Sequence, residues 1–110
     1  MIAWLEIQDA PTRAYIENPE ALPYLAAGMA AHQLLVSIEP LRAGIDGENG
    51  NASVTLKVGA MRYMQIPPLG ATATLWRVEK GVAIAEFTGT VQKVSGKPDP
   101  GGSVTVALAQ

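Results

Sequence analysis

Two stretches of alternation restrict this chain more than any other feature. Ala52, Val54, Leu56 and Val58 alternate with Ser53, Thr55 and Lys57. From Thr72 to Val78 the order repeats, with Ala73, Leu75 and Arg77 opposite Thr74, Trp76 and Val78. A period of two sends successive side chains to opposite faces of an extended strand, whereas a helix needs a period near 3.6. Both stretches are therefore predicted strands.

The flanking segments read the same way. Ile2 to Gln8 alternates, Asp9-Ala10-Pro11 is a turn signal, and Thr12 to Glu17 returns as a second strand of an N-terminal hairpin. Gln33 to Glu39 is a strand closed by Pro40, which has no ladder donor. Gly44 to Asn51 holds three glycines and two asparagines and reads as a loop. Glu79-Lys80-Gly81 closes a hairpin into Val82–Phe87. Gly89 lies inside that long strand and marks a bulge or a bend. Gly96 to Gly102 is a Pro/Gly loop, and Ser103 to Leu108 is the last strand, with Val104, Val106 and Leu108 toward the core.

One segment departs from this pattern. Asn18 is a helix N-cap and Pro19 suits the first helical position. The following residues to Leu35 are alanine-rich and apolar, with Gly28 weakening the middle. The expected fold is mainly β: a small antiparallel β-barrel or sandwich with one short helix or irregular apolar arm. It is read as a single domain over residues 1–110. Residues 1–17 form the hairpin, 18–35 the helix or arm, and 36–110 the barrel strands. A chain of 110 residues matches one domain, which buries enough surface to fold without disulfides.

Composition narrows function by exclusion. The net charge is -2, so no general attraction to nucleic acid or anionic membrane is expected. No cysteine is present, which removes thiolate zinc sites and thiol nucleophiles. The start of the chain meets Glu6 too early for a signal peptide, and no run approaches the roughly 20 apolar residues of a membrane span. Synthesis and folding in the cytoplasm are the default expectation. Charged residues are 16% and hydrophobic residues 48%, which leaves much weakly polar surface of the kind that meets another chain.

Chemistry-bearing motifs do not assemble. His32 is the single histidine and has no visible ligand or triad partners. Asp46-Gly47-Glu48-Asn49-Gly50-Asn51 resembles the start of a calcium loop, but Lys57 stands where the bidentate glutamate belongs. It reads better as a tight turn. Asn51-Ala52-Ser53 matches a glycosylation sequon without a secretion signal to accompany it. Ser95-Gly96-Lys97-Pro98 matches a phosphate loop at two residues only, and Pro98 replaces the magnesium-binding hydroxyl. Glu79 and Glu86 are expected to be solvated. No cofactor, metal or catalytic residue is expected, and the chain is not read as an enzyme. A small OB-like or other ligand-binding β-barrel is an alternative, with Trp76-Arg77 and Arg62-Tyr63 as its aromatic–basic neighbours.

The candidate contact residues are apolar and adaptable. Tyr24, Leu25, Met29 and Leu34 lie in or beside the arm. Met61, Tyr63 and Met64, with Ile66 and Leu69, lie between two strands. Met and Tyr recur at protein–protein interfaces. The same residues would equally serve to plug the ends of a barrel.

Three segments in this order carry a family resemblance: Asp46-Gly47-Glu48-Asn49-Gly50-Asn51-Ala52-Ser53-Val54-Thr55-Leu56, then Pro67-Pro68-Leu69-Gly70-Ala71-Thr72, then Phe87-Thr88-Gly89-Thr90-Val91. Together they resemble β-barrel domains of tailed-bacteriophage tail-tip and baseplate proteins, of the hub-domain or distal-tail type, over about half of the chain. The resemblance implies a structural protein of the virion tail. Copies would form a ring of threefold or sixfold symmetry around the tail axis and touch other tail proteins. It implies no catalytic residues, nucleic acid or membrane. The N-terminal hairpin and the arm would be the elements that reach a neighbour.

Overall fold

The computed structural model describes residues 2–8, 13–16, 19–25, 42–46, 50–57 and 66–110. Seven strands occur among them: β1 (Ala3–Gln8), β2 (Arg13–Ile16), β3 (Arg42–Asp46), β4 (Asn51–Lys57), β5 (Thr72–Glu79), β6 (Val82–Gly96) and β7 (Ser103–Ala109). All ladders are antiparallel and form one sheet in the order β2-β1-β5-β6-β7-β4-β3. The protein is mainly β, as the alternation predicts.

The sheet curls back on itself. Leu5, Ile7 and Tyr15 from one end share a core with Ala52, Val54 and Leu56 from the other. Leu75, Phe87, Val91, Val104, Val106 and Leu108 lie between them. Each fully buried Leu or Val side chain contributes about 1.5–3 kcal/mol relative to exposure, so this cluster supplies the main driving force. Among the described residues no ladder joins β2 to β3.

The predicted faces of β4 and β7 are correct. Ala52, Val54, Leu56, Val104, Val106 and Leu108 are buried, while Ser53 and Lys57 are exposed. The outward Thr55 and Thr105 hydroxyls lie 3.3 Å apart across the ladder. On β5 both faces are used. Ala73 and Leu75 enter the main core, and Trp76 packs against a second cluster on the opposite face.

Strand β6 is long because it belongs to both halves of the molecule. It pairs with β5 through its first part and with β7 through its second. Two bulges interrupt it. Leu75 pairs Phe87 and Trp76 pairs Ala85, so Glu86 is extra; Val91 pairs Leu108 and Lys93 pairs Ala107, so Gln92 is extra. Bulges bend and twist a strand locally. The expected bend at Gly89 is thus divided between two positions on either side of it.

One expectation needs correction. The Gly44–Asn51 loop is shorter than predicted, because Gly44, Ile45 and Asp46 belong to β3 and Asn51 opens β4. At an edge, the partner ladder decides strand formation over the low β-propensity of Gly and Asp. The N-terminal hairpin is present and is built into the sheet. β1 lies between β2 and β5, and Leu5 and Ile7 are fully buried. The predicted helix start is correct at Pro19, but the element is a 3-10 helix over Pro19–Tyr24 with Pro23 inside it. The strand expected over Gln33–Glu39, and His32, lie outside the described residues.

Candidate contact surfaces

Five of the seven contact residues read from the sequence, Met29, Leu34, Met61, Tyr63 and Met64, lie outside the described residues. The other two, Tyr24 and Leu25, are half-buried against their own domain. They cover Trp4, which is 2% exposed, on the face of β1 opposite the main core. Trp4 stacks on Tyr24 with ring centroids 6.3 Å apart and on Trp76 at 6.0 Å. Ala14, Ile16 and Ala21 complete the buried part of this cluster. The 3-10 helix is therefore held by aromatic stacking from below. The indole Nε1 of Trp4 and that of Trp76 are both buried without an acceptor. Each such donor costs about 1–3 kcal/mol of desolvation.

A different apolar side chain is presented outward. Pro68 to Ala71 form a tight turn, with the Ala71 N–H donating to the Pro68 carbonyl at 3.4 Å and Gly70 at φ 84°. A type II turn requires positive φ at its third residue, which Gly70 supplies without strain. Gly70 N–H donates to the Val91 carbonyl at 2.8 Å, and Val91 N–H donates to the Ala71 carbonyl at 2.9 Å. These bonds clamp the turn to β6. Leu69, at its second position, is 69% exposed, and Ile66 before the prolines is 46% exposed. Sequence reading names both among adaptable contact residues but does not single out Leu69, because the clamp to Val91 is a long-range contact.

A shallow depression of about 340 Å³ is lined by residues of β3, β4, β6 and β7, among them Gly44, Asn51, Ser53, Gln92, Ala107 and Ala109. Near the β5–β6 turn, Arg77 donates from Nε to Glu86 Oε1 at 2.7 Å and from Nη1 to Glu79. The hydrogen bond to Glu79, reinforced by the charges of Glu79 and Glu86, raises the guanidinium pKa above its ordinary value. Both glutamates expected to be solvated are thus tied to one arginine. Among the described residues, no group of three or more His, Cys, Asp or Glu side chains is placed to hold a metal ion. No helix among them is long and apolar enough to cross a membrane.

Comparison with protein-family models, with curated proteins and with solved structures finds no match to this chain.

Proposed function

We propose that the protein is a structural component of a bacteriophage tail tip or baseplate, assembling by protein–protein contacts into a ring around the tail axis. The observation that carries this reading is the Pro67–Gly70 turn. It is one of the three segments of the resemblance, and it places an exposed leucine on a backbone clamped to β6. A rigid apolar projection loses little conformational entropy on docking. Of the other two segments, Asn51–Leu56 lies on β4 and Phe87–Val91 on β6, while 47–49 lie outside the described residues. In a ring the contact is heterologous, so Leu69 meets a different surface of its neighbour.

The test is light scattering and electron microscopy of the purified protein and of Leu69→Asp, with circular dichroism to verify folding. Rings of three or six copies that Leu69→Asp disperses into folded smaller species would support the proposal. A folded wild-type protein that is monomeric at every concentration, alone and with tail proteins, would sink it. Truncation of residues 1–35 is not a usable test, because it deletes β1 and β2 from the sheet.

A further inference from the structure

The loop between β6 and β7 holds the single Asp–Pro bond of the chain, Asp99–Pro100. Asp99 to Gly102 form a tight turn, closed by the Gly102 N–H donating to the Asp99 carbonyl at 2.9 Å. Pro100 takes the second position and Gly101, at φ 77°, the third, the residue pattern of a type II turn. Asp99 is exposed. Among the described residues, neither its carboxyl group nor the ammonium of Lys97, the other charged side chain of the loop, has an ion pair or a hydrogen bond.

Three properties meet at this bond. Its nitrogen belongs to proline, so the amide is tertiary, and the nitrogen takes up a proton more readily than that of an ordinary peptide bond. The Asp99 carboxyl is unpaired and lies one methylene from the Cα that carries its own backbone carbonyl. A nucleophile tethered so closely gains the advantage of an intramolecular reaction. The carbonyl oxygen already accepts from Gly102 N–H, a donor placed where negative charge develops once the carbonyl carbon is attacked.

We infer that Asp99–Pro100 is a self-cleavage site that works in acid while the protein is folded, and that the cut leaves β7 in place. A carboxyl oxygen of Asp99 bonds to the Asp99 carbonyl carbon, and the carboxyl proton passes to the Pro100 nitrogen. The C–N bond breaks, its electron pair stays on that nitrogen, and a cyclic anhydride remains on Asp99. Water then opens the anhydride to two carboxyl groups. The sum is hydrolysis of one peptide bond, with nothing oxidised or reduced. The leaving nitrogen takes its proton from the carboxyl, so the reaction belongs to acid, where aspartic side chains keep that proton below about pH 4. Retention of β7 follows from its packing. It lies between β6 and β4, and Val104, Val106 and Leu108 are each at most 1% exposed. Residues 1–99 and 100–110 therefore stay one particle. This inference is independent of the tail reading.

The test is intact-mass spectrometry of the purified protein held at about pH 3, or at the lowest pH at which circular dichroism still shows the native sheet. Two fragments, ending at Asp99 and beginning at Pro100, are expected, their masses summing to the chain plus one water. They should leave a size-exclusion column together. The folded protein should be cut at least about threefold faster than the same protein in urea, where the turn and its donor are lost. Asp99→Ala should remove the cut. Gly101→Ala strains the turn without meeting a neighbour and should slow the cut in the folded protein. An uncut folded protein, a cut no faster than in urea, or a cut that survives Asp99→Ala would overturn the inference. Fragments that separate on the column would overturn the retention of β7.

Discussion

Gly89 and Ala109 meet backbone to side: a Cβ placed on Gly89 would stand 2.6 Å from the Ala109 carbonyl oxygen and 2.9 Å from the Phe87 ring. At the same crossing the Thr90 hydroxyl donates to that carbonyl at 3.1 Å. β6 leaves β5 for β7 here, between its bulges at Glu86 and Gln92.

Gly89→Ala is therefore expected to destabilise the protein by about 1–3 kcal/mol, the usual cost of forcing a methyl into a filled site. Urea unfolding followed by circular dichroism reads this directly. An unchanged midpoint would mean that β6 does not turn this tightly against β7.

The second cluster predicts an asymmetry between its tryptophans. Trp4→Ala should cost about 3–5 kcal/mol, because the ring is buried and supports Tyr24, Leu25 and Trp76. Trp76→Phe should stay within about 1 kcal/mol of wild type. Loss of ring area is offset there by removal of a buried N–H that has no acceptor. Chemical denaturation of both variants checks the contrast, and a Trp76→Phe variant as unstable as Trp4→Ala would refute it.

The β5–β6 turn is strained at its first residue. Lys80 has φ 52° and Gly81 has φ 78°, the pair of positive angles of a type I′ turn. Asn tolerates the left-handed region better than Lys. Lys80→Asn should stabilise by about 0.5 kcal/mol, whereas Gly81→Ala should destabilise by about 1 kcal/mol. Thermal melts of the two variants should shift in opposite directions.

Two leucines separate packing from display. Leu56 is fully buried in β4, and Leu56→Ala should cost about 2–5 kcal/mol. Leu69 is largely exposed, and Leu69→Ala should change stability by no more than about 0.5 kcal/mol. Denaturant midpoints measure both. A large loss at Leu69 would assign that side chain to the domain's own packing.

Legibility followed the range of the interactions. The Ala52–Lys57 alternation, the Lys80-Gly81 turn and the helix start at Pro19 are local patterns, and each appears where the residues place it. The arginine bridge from Arg77 to Glu86 was hidden because the Glu86 bulge exists only in the pairing with β5. The inward residues Ile84, Phe87, Gly89, Val91 and Val94 follow steps of three, two, two and three, which a strict period of two does not find. Tyr24 reads as an adaptable contact residue from its type alone, yet stacks on Trp4 because β1 is brought beneath the 3-10 helix.

By itself the sequence determined that the chain is β-built, where its tight turns lie, and which faces of β4 and β7 are apolar. Those are consequences of backbone geometry and solvation over a few residues. Only the tertiary structure decided that β1 is an interior strand, that β6 serves both halves of the sheet, and that β3 pairs with β4. Strand order depends on pairings between residues far apart in the chain. Local periodicity carries no information about which strand becomes whose neighbour.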